Sequence, residues 1–199
     1  MDTARYCVAL IVSVSMIPAV LVWTVIHPFA DKWRRVGPIG AYIFIIAFVV
    51  TGTFLLWLNR DWILAYEYGL NKSLSILAAI IMCVGVLLRI LWRRVLRPRT
   101  ILGLPEIFGR NSSDELVTEG IYSYVRHPRY LEVGMALAAA AFFSNYLAAY
   151  IVLAAYMPLI YIVVLLEERE LRDRFGKAYE EYCSRVPRFF PKIRSRKSS

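Results

Sequence analysis

Long apolar runs constrain this chain more than any other feature. A helix needs ~20 apolar residues to cross a hydrocarbon core of ~30 Å. Tyr6 to Ile26 meets that length, with Pro18 as a kink. Ile39 to Leu58 carries no charge, and Ser73 to Trp92 carries only Arg89, close enough to its end to snorkel to the interface. The run from Leu131 to Leu166 is too long for one crossing, about 54 Å as a single helix. Ser144-Asn145 marks a break, so this run reads as a helical hairpin. Its first arm is short, and its second runs from Tyr146 to Leu166 with a kink at Pro158. The expected fold is all-α: a polytopic membrane protein with five transmembrane helices, the last two forming the hairpin.

Composition agrees, because 59% of the 199 residues are hydrophobic and only 20% are charged. The net charge of +9 would by itself suit nucleic acid or anionic lipid. Its distribution gives another reason, the excess of cytoplasmic Lys and Arg that orients membrane proteins. Twenty Lys or Arg residues fall in the segments His27–Pro38 and Arg93–Tyr130 and in the tail from Glu167. Only Arg5, Arg60 and Lys72 fall on the other side. The N-terminus is therefore expected outside and the C-terminus in the cytoplasm, and no nucleic-acid partner is expected. The first run is long and no A-x-A-like site follows it closely, so it is expected to be retained as a helix. Cys7, Cys83 and Cys183 have neither metal-ligand nor disulfide-framework spacing.

One integral membrane domain over 1–199 is expected, in two halves. Residues 1–92 supply three spans. Residues 93–199 hold an interfacial loop with short apolar stretches such as Ile101-Leu102 and Ile107-Phe108, then the hairpin, then an amphipathic helix from Glu167. On that helix Leu171, Phe175, Ala178, Tyr179 and Tyr182 share a face. Val186-Pro187 ends it, and the basic stretch from Ile193 to Ser199 is expected to fray.

Charged residues at membrane depth usually have a function, and here they gather at the two ends of the hairpin. Arg126, His127, Arg129 and Glu132 lie at its start, and Glu167 and Glu168 at its finish. In Arg126-His127-Pro128-Arg129-Tyr130, Pro128 suits a first helical turn. The free N–H groups of that turn favour an anion, although basic residues flank membrane helices generally. Glu167 and Glu168 oppose the dipole of the helix they end. They either pair with Arg126 or Arg129 or hold a cationic ligand. Gly120 suits a turn, and Tyr122 and Tyr124 either line a pocket for a planar ring or lie in the head-group layer. Val186-Pro187-Arg188-Phe189-Phe190-Pro191 either folds back, bringing Arg188 to Glu167, or only stops the helix.

The ordered set is Leu116-Val117, Gly120-x-Tyr122, Arg126-His127-Pro128-x-Tyr130, an apolar hairpin, Glu167-Glu168-x-x-Leu171, Phe175-Gly176-x-x-Tyr179-x-x-Tyr182 and Val186-Pro187. Over roughly residues 100–191 it resembles the isoprenylcysteine carboxyl methyltransferase family and its small prokaryotic membrane relatives. The resemblance implies S-adenosylmethionine as cofactor. It implies that Leu116, Val117, Tyr122, His127, Pro128, Arg129, Tyr130 and Glu167 line the cofactor pocket. The cofactor's charges suit them: Glu167 for its amine, His127 and the helix N-terminus for its carboxylate, Tyr122 and the aliphatics for its adenine. No Gly-rich nucleotide loop is present. Arg126, Glu168 and Arg188 are the candidates for chemistry, with Arg126 or Arg188 orienting an acceptor carboxylate. The pattern departs at Glu132, where the family commonly has glycine; a carboxylate there bears on the acceptor more than on the cofactor.

The implied enzyme is a methyltransferase, expected to be a monomer. It would act at the cytoplasmic interface on a lipophilic or lipidated acceptor, such as a prenylcysteine-like carboxylate, that enters from the bilayer. A nicotinamide-dependent reductase related to the sterol reductases is the alternative, since those share a similar tail helix followed by Val-Pro. A non-enzymatic lipid-binding scaffold explains the spans and arginines, but not the converging motifs.

Overall fold

The computed structural model describes residues 2–26, 29–95 and 116–191. Within these residues the secondary structure is helical apart from one isolated antiparallel bridge, Glu67 to Tyr146. The helices are α1 (Thr3–Ile26), α2 (Ala30–Val36), α3 (Pro38–Leu58), α4 (Arg60–Ile63), α5 (Lys72–Arg93), α6 (Pro128–Ser144), α7 (Leu147–Phe175) and α8 (Lys177–Arg185). A 3₁₀ turn, Gly120–Ser123, precedes α6. The interfacial stretches Ile101-Leu102 and Ile107-Phe108 and the basic end from Ile193 lie outside the described residues.

Local chemistry sets the helix ends. Asn71 caps α5 by accepting a bond from the Leu74 N–H at 3.1 Å. Proline opens both α3 and α6, at Pro38 and Pro128, where its missing N–H costs no bond. Asn145 ends α6 in the left-handed region, at φ 56°.

Among the described residues four helices are long and apolar enough to cross a membrane: α1, α3, α5 and α7. The chain is thus an integral membrane protein with four such helices, where the sequence suggested five. α6, with 17 residues, spans only about 25 Å. α5 pairs most extensively with α6, while α1 packs on α3, α6 and α7. Much of α3 and α5 faces outward with Ile, Leu, Val and Phe side chains, the arrangement expected where lipid rather than water is the solvent.

The core lies between α1, α6 and α7, where Val12, Leu137, Val152, Tyr156, Ile160 and Val163 cluster. The Tyr156 hydroxyl donates to the Tyr130 carbonyl at 2.7 Å, so α7 runs back along α6. At the far end of that pair, Arg5 of α1 is buried. Its Nε and Nη2 donate to the Ser144 carbonyl at 3.0 and 2.8 Å, and its Nη1 lies 2.9 Å from Glu67 Oε1. The segment before α5 closes the same end: Tyr68 N–H donates to the Asn145 carbonyl and Asn145 Nδ2 to the Gly69 carbonyl.

Two sequence expectations change here. The charged turns from Glu167 to Phe175 belong to α7 itself, because nothing breaks the helix until Gly176, at φ 55°. The separate tail helix is only Lys177–Arg185, whose Tyr179 and Tyr182 pack with Val186 against Leu116, Leu171 and Phe175. Arg89 does not simply reach for the interface. It donates from Nε and Nη2 to Glu132 Oε1 at 3.1 and 2.7 Å, tying α5 to α6.

Candidate active site at the head of the last two helices

The apolar run of α7 ends at Leu166, and the next turn carries Glu167 and Glu168. Because α6 and α7 are antiparallel, that turn meets the start of α6. Three segments converge there: Arg126-His127 ahead of α6, the charged end of α7, and the strap after α8. The strap is held by backbone bonds, Arg126 N–H to the Pro187 carbonyl at 2.9 Å and His127 N–H to the Arg188 carbonyl at 3.0 Å.

Glu168 is the hub, with 0% of its surface exposed. Arg188 binds it with two prongs, Nε to Oε1 at 3.0 Å and Nη2 to Oε2 at 2.9 Å. Arg126 Nη2 lies 3.1 Å from Oε1, Arg172 Nη2 3.2 Å from Oε2, and His127 Nε2 3.2 Å from Oε1. The His127 and Arg188 hydrogen bonds and the Arg126 charge offset the cost of burying the Glu168 carboxylate. In return, the bond to Glu168 pushes the Arg188 guanidinium up.

Glu167 is placed differently. Its Oε2 is buried yet has no hydrogen-bond partner among the described residues, and it lies 3.7 Å from His127 Nδ1. Arg126 Nε is likewise buried and unpartnered. A buried acceptor and a buried donor without partners are costly, and here both flank His127. The rings of Tyr130 and Phe189 lie 5.8 and 6.1 Å from the His127 ring.

The structure brings most of the sequence-derived residues into this region. Pro128 is fully buried at the first turn of α6. Tyr122 is buried, and its carbonyl accepts the Tyr182 hydroxyl at 2.7 Å. Burial raises the Tyr122 phenol, as does the nearby Glu167 charge, while Arg129 opposes them. Leu116 packs into the α8 cluster, and Val117 follows it, half-buried. Tyr124, by contrast, is 64% exposed, so only one of the two tyrosines is in position to line a pocket. Of the acidic pair Glu168 meets Arg126 while Glu167 lies against His127, and Arg188 reaches Glu168 rather than Glu167.

Sequence reasoning passed over three participants. Arg172 stands one helical turn after Glu168, an i,i+4 spacing that signals pairing. Phe189 faces His127, and the Tyr182 hydroxyl secures Tyr122; neither contact has a local signature. Glu132, at the position commonly glycine in the resembled family, is buried and bound to Arg89.

The chain is 40% identical over 89 residues to a nickel-cobalt-cadmium resistance protein, NccN, of Alcaligenes xylosoxydans xylosoxydans, covering 44% of this chain and 40% of that one. It is 34% identical over 85 residues to the protein-S-isoprenylcysteine O-methyltransferase of Schizosaccharomyces pombe, covering 42% and 36%. It is 38% identical over 76 residues to methanethiol S-methyltransferase 1 of Bradyrhizobium diazoefficiens, covering 38% and 26%. The matches thus span at most two-fifths of those relatives. The S. pombe protein carries the name that the motif set suggested. The family model for phospholipid methyltransferases matches residues 74–178, which takes in α6, α7, all but the first two residues of α5, and Arg126, His127, Glu167, Glu168 and Arg172 but not α8's Tyr182 or the strap, and by that match the chain belongs to the phospholipid methyltransferase family.

Proposed function

We propose that this protein is an S-adenosylmethionine-dependent methyltransferase that acts at the membrane–cytoplasm interface on a lipophilic acceptor. The observation that carries this reading is the pair of buried polar atoms without partners beside His127. Glu167 Oε2 is an open acceptor for a cation, and Arg126 Nε is an open donor for an anion. Such a pair fits the ammonium and carboxylate of an amino-acid zwitterion. Membership of the family and the methyltransferase names of two relatives support the same reading.

The residues fit the cofactor as follows. Glu167 would hold its amine, and Arg126 with His127 its carboxylate. Tyr122, Leu116 and Val117 would flank the adenine, and Pro128, Arg129 and Tyr130 would form the wall at the start of α6. When bound, S-adenosylmethionine supplies an electrophilic methyl on a sulfonium. The protein's part is to position the acceptor and exclude water. Glu168 is then a positioning residue: it fixes His127 and Arg126 and is itself saturated by cations. Arg188 is taken up by Glu168, so Arg126 is the better candidate to touch a ligand. The acceptor is a lipid or lipidated molecule, a prenylcysteine-like carboxylate among the options, reaching the site from the bilayer. We further propose that α6 and α7 form a membrane hairpin, which makes five crossings, with the N-terminus outside, the site on the cytoplasmic face and the monomer as the working unit.

Calorimetry with S-adenosylhomocysteine tests this function. Unaltered protein should bind. Glu167→Gln should bind at least roughly tenfold more weakly, since a bond to a charged group is worth ~1.5–3 kcal/mol, with its unfolding midpoint unchanged. No binding by the unaltered protein, with a thermal shift from NADPH instead, would replace this reading with the reductase. Labelled methyl transfer into a lipid and peptide extract then identifies the acceptor.

A further inference from the structure

We propose that the cytoplasmic end of α5, with Arg89 at its centre, is a docking site for the acidic head group of a lipid-like molecule, a phosphate or carboxylate on an apolar chain. This deepens the methyltransferase reading and rests on it only in assigning that molecule as the acceptor.

The argument starts from how Arg89 is held. A guanidinium has five N–H donors. Arg89 directs Nε and Nη2 at one oxygen, Glu132 Oε1, so Nη1 is left out of the pair. The carboxylate lies inside the protein, with 4% of its side chain exposed, whereas the Arg89 side chain is 51% exposed. The pair therefore points outward: Glu132 is the anchor, and the guanidinium is presented at the surface. Gly85, one turn back, puts α5 against Met135 of α6, so the anchor sits where the two helices are close.

The surroundings add donors and positive charge. Arg93 lies one turn beyond Arg89 on the same face of α5, exposed, its guanidinium 6.0 Å from the Trp92 ring. Trp92 is 4% exposed, and its Nε1 is buried without a hydrogen-bond partner. Among the described residues, Arg89 and Arg93 thus share one exposed face of α5, and Glu132 is the carboxylate bound to Arg89 there. A planar guanidinium matches carboxylate or phosphate with two parallel bonds. Depth also fits, because Arg89 is one turn from the end of a membrane-length helix, at the level where lipid head groups lie and apolar chains begin. Glu132 stands one turn after Pro128 on α6, so an anion held by Arg89 lies beside the candidate cofactor pocket.

The test is thermal unfolding in neutral detergent micelles with phosphatidic acid, oleate, phosphatidylcholine of the same chains, or inorganic phosphate. S-Adenosylhomocysteine binding is measured on the same samples. Phosphatidic acid and oleate should raise the midpoint, and phosphatidylcholine and inorganic phosphate should not. In the Arg89→Met/Glu132→Met variant both charges go together, so the fold should hold, while apparent affinity for the acidic lipids should fall at least roughly tenfold. Arg89→Lys should lose part of the response, because one ammonium cannot make two parallel bonds. Equal shifts from phosphatidylcholine, or acidic-lipid shifts undiminished in the double variant, would overturn the site. A shift from inorganic phosphate alone would overturn its lipid source. Loss of S-adenosylhomocysteine binding by the unaltered protein, with acidic-lipid shifts intact, would instead count against the methyltransferase reading and leave the docking site standing.

Discussion

Glu168→Ala is expected to lower the free energy of unfolding by about 3–5 kcal/mol, the cost of removing one partner from a buried charge cluster, and to abolish S-adenosylhomocysteine binding. The two effects share one cause. Glu168 is fully buried and receives Arg126, His127, Arg172 and Arg188. Without it Arg126, itself 9% exposed in its side chain, is a buried cation with no counter-ion. The strap loses its side-chain anchor, because both prongs of Arg188 end on Glu168. His127 loses the bond that fixes its ring. Glu168→Gln keeps the shape and one acceptor oxygen, so it should lose less stability and most of the binding. Unfolding in micelles with a chemical denaturant, beside calorimetry, measures both. Glu168→Ala with unchanged stability would show that the cluster does not hold this end together.

Arg5→Ala is expected to cost about 3 kcal/mol of stability, the lower end for a broken buried pair, because Glu67 keeps some contact with solvent at 28% side-chain exposure. S-Adenosylhomocysteine affinity of the folded fraction should stay unchanged. Arg5 binds the Ser144 carbonyl at the end of α6 opposite the candidate site, about 25 Å away along the helix. Removing it leaves a buried carbonyl without its donors and a carboxylate without its cation. It also frees α1 from the junction of α6 and α7. Arg5→Lys should fall between, since an ammonium keeps the charge but cannot bridge Ser144 and Glu67 with a planar fork. A matching fall in affinity would mean that the two ends of the helix pair are coupled, and that the distal ion pair is more than a structural tie.

Opposite behaviour at two buried arginine–glutamate clusters illustrates how far the sequence reaches. Helix class, the membrane-length runs and the break at Ser144-Asn145 are local properties. An apolar run of sufficient length has one low-energy state in lipid, and Asn is among the few residues that accept the left-handed backbone found at 145. The residues of the candidate site were legible for a similar reason, since their spacing along a helix or beside a turn carries the family pattern. Which charge meets which was not legible. Arg5 read as one of three stray cations on the outer side, and it is a buried tie between α1, Glu67 and Ser144. Arg89 read as a snorkelling end residue, and it is anchored to Glu132. Glu167 was assigned to the cofactor's amine and Glu168 to the chemistry by resemblance alone, with no sign of which carboxylate the arginines would take up. Adjacent residues on a helix point about 100° apart, so one faces the arginine cluster and is saturated while the other keeps an open oxygen beside His127. The sequence by itself determined a membrane-embedded helical chain and gathered its candidate site residues at one end of the last helices, because apolar length and turn chemistry act locally. Only the tertiary structure decided which carboxylate is saturated by arginines and which keeps an oxygen without a hydrogen-bond partner, because ion pairing depends on distances between residues far apart in the chain.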